Sequence, residues 1–372
     1  MKVLSIVPYN IFSAKLGGQK GIALFNKYLA KECALYCVTV KSNQPSYAEG
    51  YTLYPLLGSA SFRYINPFNF FLVKRLVQEL KITHLILEHP YFGWLGILVQ
   101  WATGVKLVVH SHNIENTRWK SVGKWWWKIL FRYEGAIHRA ADYNFFINEA
   151  DRQYALKAFR LEERKSAVIT YGIEWNSTPT LNEKQRCREQ LVQQYGLSAD
   201  TNILLFNGTL GYPPNLQALQ VILERLNPLL LSSSLTYKIF ICGSGLPENM
   251  QGLATYANKN IIYAGFVDDI TTYFKGADLF LNPVIEGGGI KTKLVEALAY
   301  GTRTVSTVNG SIGVSKEDAG DLLQIVDDGN WPAFATAIIT SCAVPAPALP
   351  PAFFEKFYWV NIARKAAAFM QT

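Results

Sequence analysis

Residues 282–301 read NPVIEGGGIKTKLVEALAYG. With the residues just upstream, DLFLNPV is a strand that Pro283 stops. The turn IEGGG follows. Then IKTKLVEALAY carries Leu294, Ala297 and Leu298 at helical spacing and closes at Gly301. Three glycines in a row bury no side chain and lose the most entropy on ordering. Such a loop makes sense where a ligand touches its backbone. It aims a helix N-terminus, with bare N–H groups and the positive end of its dipole, beyond the strand. Lys291 and Lys293 add positive charge, so a diphosphate suits it. Glu296, one turn further in, either accepts hydrogen bonds from vicinal ribose hydroxyls or pairs with a lysine in solvent.

Around this stretch apolar runs alternate with helical ones. In the second half NILLFNGTL, YKIFICGSG, NIIYAGF and TRTVST read as strands. PPNLQALQVILERLNPLL reads as a helix whose start is marked by Pro and Asn. In the first half KVLSIVP, LYCVTV, THLILEH, KLVVHSH and YNFFIN are strands. Helices are expected over KGIALFNKYLAKEC, FNFFLVKRLVQELK, residues 91–103, and a long stretch from about Thr117 to Ala141. Apolar strands separated by helices predict parallel sheets covered on both faces. At 372 residues, two domains are expected. The reading is α/β and doubly wound, with Rossmann-like domains over 1–175 and 176–354. The polar IEWNSTPTLNEKQRCREQLVQQYG is the linker region. AVPAPALPPAFFEKF (343–357) is too rich in proline for regular helix and leads to a final amphipathic helix. Sheets of this kind hold ligands beyond the C-terminal ends of their strands.

Several stretches fall at such ends. SAKLGGQKG places Gly17, Gly18 and Gly21 where backbone N–H groups can hold a phosphate, where a sugar can approach closely, or in a plain turn. HSHNIEN offers His110, His112, Asn113 and Glu115 for sugar binding or acid–base assistance, or as hydrogen-bonded loop residues. A metal on His-x-His has no evident third ligand, and all five histidines lie in the first half, so no metal is expected. FNGTLGYPPN, CGSG and AGFVDDI put glycines at three further strand ends, which are expected to converge on one edge.

Net charge is +8 and the pI about 9.1, which favours anionic partners. The basic residues are scattered and form no recognised module, so nucleic acid is not expected. Five cysteines without a C-x-x-C fit neither a disulfide framework nor a zinc site and point to a reducing compartment. Pro8 interrupts MKVLSIVPYN too early for a signal peptide. YFGWLGILVQWATGV (91–105) is too short and broken for a membrane span and reads as a buried helix. The expected location is cytoplasmic, with peripheral contact on the inner face of the membrane through TRWKSVGKWWWKILFR (117–132). The alternative is that this aromatic face packs on its own domain.

NPVIEGGGIKTKLVEALAYGTRTVST, with GFVDDI upstream and NGSIG downstream, resembles the donor-site signature of GT-B glycosyltransferases, nearest the group 1 (GT4-like) retaining enzymes. Lys293 to Gly301 is the specific part. GGQKG, HNIE, INEADR, YGIE and FNGTLGYPPN also fall where that family has landmarks. The resemblance implies two Rossmann-like domains facing a cleft, with a C-terminal helix (355–372) returning to the first. It implies a UDP- or GDP-sugar donor held mainly by the second domain, without cofactor or metal. It puts the ribose on Glu296, the base near Phe266 and Val267, and the diphosphate on the backbone of Gly287, Gly288, Gly289 and Ile290 with help from Lys293. Gly208 and Thr209 also fall to the donor. His112 becomes the catalytic-site histidine beside the donor sugar, and Gly17 and Gly18 lie beneath the sugar or phosphates. Two family features are missing. Gly288 stands where a paired glutamate is common, with Glu286 out of register, and Thr209 and Pro213 stand near the place of an Arg/Lys pair.

The resemblance implies a retaining hexosyl-type transferase acting on a glycan or lipid-linked acceptor hydroxyl, in polysaccharide or glycolipid synthesis. A sugar-nucleotide epimerase or hydrolase would need more acid–base groups than the histidine-free second half offers. A non-catalytic binding or scaffold subunit would account for the missing glutamate and basic pair.

Overall fold

The computed structural model describes residues 1–12, 17–121 and 123–372. It divides into two compact units, Met1–Glu174 with Phe357–Thr372, and Trp175–Lys356. The first holds strands β1 (Lys2–Ile6), β2 (Ala34–Val40), β3 (Thr52–Leu57), β4 (His84–Glu88), β5 (Lys106–Ser111), β6 (Tyr143–Phe146) and β7 (Ser166–Val168). They lie in the order β3-β2-β1-β4-β5-β6-β7, every neighbour parallel. The second holds β8 (Asn202–Asn207), β9 (Tyr237–Cys242), β10 (Ile261–Gly265), β11 (Leu279–Asn282), β12 (Arg303–Thr307) and β13 (Leu323–Val326), ordered β10-β9-β8-β11-β12-β13 and again parallel. Consecutive residues such as Leu85, Ile86 and Leu87 are fully buried, as strands covered on both faces require. The sequence reading passed over β3, β7 and β13. β3 carries Pro55 and lies at an edge, where a missing N–H can be tolerated.

In the first unit, helix α1 (Gly17–Leu29) packs against the returning C-terminal helix Trp359–Phe369. Helices α2 (Phe68–Leu80) and α3 (Gly93–Thr103) pack beside one another. The long helix expected over Thr117–Ala141 is instead two, α4 (Glu115–Ser121) and α5 (Trp127–Ala140). Gly123 (φ 71°) lies in the break and takes the left-handed conformation that ends helices. α3 is also not a buried helix: Leu95, Gly96 and Val99 are buried, while Leu98 and Trp101 are exposed. Among the described residues no helix is long and apolar enough to cross a membrane.

The linker is shorter than its polar composition predicts. Leu181–Tyr195 is a helix of the second unit, opened by reciprocal bonds between Thr180 and Glu183 (3.2 and 2.8 Å). The proline-rich stretch is irregular until Ala352–Phe357, which is helical. Upstream, the Arg303 guanidinium donates to the carbonyls of Ser341, Val344 and Pro345 and so pins its start. Strand order reverses between β1 and β4 in one unit and between β8 and β11 in the other. In open α/β sheets these reversals are where loops splay and ligands enter.

Candidate functional site

At the β8/β11 reversal the glycine turns lie against each other. Gly208 N donates to Cys242 O (3.0 Å), Gly243 N to Gly265 O (2.7 Å) and Leu210 N to Ser244 O (2.7 Å). A Cβ on Gly243 would sit 1.9 Å from the Gly208 carbonyl oxygen, so only glycine allows the approach. Phe266, just past β10, is 74% exposed, and Val267 is half-buried beside it.

After β11, Gly287 (φ 88°) and Gly289 (φ 72°) turn in the left-handed region. The two lysines of the motif take different roles. Lys291 Nζ donates back to the carbonyls of Gly287 (2.8 Å) and Gly289 (3.1 Å), bracing the loop. Lys293 Nζ reaches under the β8 turn to Asn207 O (3.1 Å) and Asn215 Oδ1 (3.0 Å), 4.5 Å from the centroid of the Phe206 ring. Asn215 Nδ2 donates in turn to Thr209 O (3.0 Å). Lys293 therefore lies beside the loop whose sequence lacks the basic pair. Burial, with Lys291 nearby, pushes its amine down to about 7. Both bonded partners are neutral oxygens, so an anion at the turn would supply the counter-charge.

The helix Thr292–Ala299 starts directly after the loop, and the side chain of its N-cap residue, Lys291, turns back to the loop carbonyls instead of capping the first turn. Ile290 sits against Gly313 of the NGSIG turn, 3.0 Å from the place of a Cβ there. Glu296 lies one turn along from Lys293 and is half-buried. Glu286 accepts from Gln217 Nε2 (3.0 Å), a partner the sequence did not suggest.

At the β1/β4 reversal, Gly17 opens α1, and among the described residues no atom beyond the chain neighbours and the helix's own backbone lies within 4 Å of the place of a Cβ on Gly18. Residues 13–16 of SAKLGGQKG lie outside the described residues. His112 Nε2 donates to Glu88 Oε2 (2.6 Å), and His110 Nδ1 lies 3.0 Å from the same oxygen. Burial opposes charge on Glu88, but His110 and His112 beside it hold its carboxyl at about 2. Burial and the adjacent His110 push His112 down to about 3, against the pull of Glu88. His112 is thus neutral, with its Nε2–H committed to Glu88 and Nδ1 left as an acceptor. His89, at φ 74°, is bonded to Tyr9 (2.7 Å) and Glu115 (3.2 Å). Tyr91 donates to Glu115 as well (2.6 Å). The buried Glu134 accepts from Glu115 N, Asn116 N and Asn116 Nδ2, and burial raises its carboxyl to about 7.

Glu88, His110 and His112 bring three potential ligand atoms within 4.8 Å of one another, a third group the sequence reading did not see. A metal at about 2.1 Å from each of two ligands would separate them by roughly 3.4 Å. The 2.6 Å contact between Glu88 and His112 is instead a hydrogen bond. Sequence reasoning found His112 and Glu115 but missed Glu88, His89, Tyr9, Tyr91 and Glu134. The available signal was the Glu-His pair that closes THLILEH directly after the apolar run Leu85–Leu87.

Residues 201–343 match the family profile described as glycosyl transferases group 1, and residues 17–175 match Glycosyltransferase Family 4. An uncharacterized 44.6 kDa protein in the cps region of Klebsiella pneumoniae is 29% identical over 131 residues, and the match spans about a third (34%) of each chain. Among solved structures, sucrose-phosphate synthase from Thermosynechococcus elongatus superposes with a TM-score of 0.74 at 16% identity, covering 100% of this chain and 98% of that one. Anabaena HepE, solved in complex with UDP, gives 0.74 at 14% identity over 100% of both chains. A glycosyltransferase from Rickettsia africae gives 0.70 at 15% identity, covering 100% and 98%. With profiles matching in both units and this fold over its whole length, the chain belongs to the group 1 (GT4-like) glycosyltransferases of the GT-B fold.

Proposed function

We propose that the protein transfers a hexosyl group, with retention at the anomeric carbon, from a nucleoside diphosphate sugar to an acceptor hydroxyl. The observation that carries this reading is Lys293, an amine with neutral partners placed beneath the Gly208–Thr209 turn, on the helix that starts at the glycine loop. A diphosphate there meets that amine, the Gly287–Ile290 backbone and the helix dipole together. The same three features stabilise the charge that appears on the diphosphate as the bond to the sugar breaks, which is the main electrostatic task of such a transfer. Glu296 takes the ribose hydroxyls and the exposed Phe266, with Val267, takes the base. His112 serves the sugar end, offering Nδ1 as acceptor to a sugar hydroxyl, with Gly17 and Gly18 close to the sugar or phosphates.

The solved complexes of HepE with UDP, with UDP and glucose, and with UDP-glucose support a UDP-sugar donor ahead of a GDP-sugar. The cps-region relative supports a role in polysaccharide assembly, on a glycan or lipid-linked acceptor. Peripheral membrane contact through 117–132 fits an acceptor of that kind. The absent glutamate at Gly288 favours a second reading, a donor-binding subunit without activity. Calorimetry with UDP- and GDP-hexoses, followed by nucleotide release with a mixed acceptor extract, separates them. Binding with release supports transfer, binding without release supports the subunit, and no binding of either donor class removes both.

A further inference from the structure

We infer that the outer faces of α2, α3 and α5 form one docking surface for an anionic lipid bilayer, a surface wider than 117–132. The inference rests on the peripheral-contact part of the proposal above. Val73 and Val77 of α2, Leu95 and Val99 of α3, and Ile137 of α5 all enter the same core on one face of the first sheet. Their opposite faces therefore look outward on the same side, with α3 in the middle. Two bonds tie these segments: Trp94 Nε1 of α3 donates to the carbonyl of Tyr64, ahead of α2 (2.7 Å), and Tyr133 Oη, midway along α5, donates to the carbonyl of Tyr91, ahead of α3 (3.2 Å).

The outward side carries Ile65, Phe68 and Phe71 at and before α2, Trp101 on α3, and Trp125 and Ile129 at α5, between 63% and 80% exposed. At about 200 Å² for each large side chain, this is on the order of 900 Å² of apolar surface. Basic side chains run through it. Lys74, Arg75, Lys124, Lys128 and Arg132 belong to these segments, and Lys120 and Lys128 lie over the Trp127 ring at 4.9 and 5.8 Å. Among the described residues of 61–80, 93–103 and 115–140 the exposed carboxylate is Glu79, and it is paired with Arg75 (2.7 Å).

This charge pattern selects the occupant. A second copy docking face to face would set cations against cations. An anionic bilayer takes both components, the rings at the headgroup level and the cations against phosphate. Because no described helix can span, the contact is shallow and reversible.

The test is co-sedimentation of the full chain with vesicles of phosphatidylcholine, alone or with phosphatidylglycerol, alongside Phe68→Ser/Phe71→Ser, Trp101→Ser and Trp125→Ser variants. Circular dichroism and nucleotide calorimetry verify folding. The expected result is binding to the anionic vesicles only, weakened about tenfold or more by the α2 pair and by the α3 change as well as by Trp125→Ser. Loss confined to Trp125→Ser overturns the three-helix surface and leaves the narrower 117–132 contact standing. No wild-type binding removes both. A wild-type dimer that these variants convert to monomer assigns the surface to a second copy and refutes the lipid.

Discussion

Replacing Lys293 by Met should stabilise the protein and weaken its hold on nucleotide at once. The amine is displaced from 10.5 to about 7 by burial and by Lys291. At 1.36 kcal/mol per pH unit this corresponds to at most about 5 kcal/mol of cost for keeping the charge folded. The side chain is partly exposed, and Asn207 O and Asn215 Oδ1 lose their donor in the variant. A net gain of about 1–3 kcal/mol is therefore expected. The sign follows from linkage: an amine whose folded pKa lies below its unfolded one costs stability in full below about pH 7, and the cost is relieved as pH rises toward 10.5. Chemical denaturation at pH 6 and pH 9 should accordingly show the larger stabilisation at pH 6. Binding of a nucleoside diphosphate should fall about 10- to 100-fold, the worth of one charge-assisted bond. Wild-type affinity should decline above pH 7, and that of the variant should not. The reasoning is refuted if Lys293→Met is less stable than wild type at pH 6 while binding nucleoside diphosphate equally well.

Glu296→Ala should weaken diphosphate binding at least about tenfold, and wild type but not the variant should prefer UDP over its 2′-deoxy form; equal preference in both sinks the ribose role. His112→Ala should lower transfer at least about 100-fold at every pH from 5 to 8, because the ring, held at about 3, does not titrate there; a wild-type rate profile governed by a histidine near pH 6.5 that vanishes in the variant would contradict this. Acid should destabilise the first unit, since His112 sits below its ordinary 6.5 and Glu88 below its ordinary 4.5, so their contributions fade from about pH 6.5 toward 3 and from about 4.5 toward 2; Glu88→Gln should flatten the lower part of that loss in a pH-dependent melt. Gly243→Ala should cost about 2–4 kcal/mol, because its Cβ would meet the Gly208 carbonyl at 1.9 Å; an unshifted melting temperature would show that the turns do not need this approach.

The sequence by itself determined the alternation of strand and helix, the glycine loop and the helix behind it. These are local properties: the period of apolar residues, the left-handed freedom of glycine, and the stop at a proline or glycine cap. It also carried the family match, because the Lys293–Gly301 segment packs chemistry and helix pattern into nine consecutive positions. It did not separate the two lysines of that loop. Which one braces carbonyls and which one reaches a turn 86 residues away depends on β8 lying next to β11, a long-range pairing with no local signature. The same holds for Glu88, which meets His112 across 24 residues because β4 pairs with β5 in register, Glu88 opposite His110. The outward aromatics of α2 and α3 were legible as apolar positions but not as exposed ones. Hydrophobicity alone does not say which side of a helix the sheet will cover, and only the packed layer decides it.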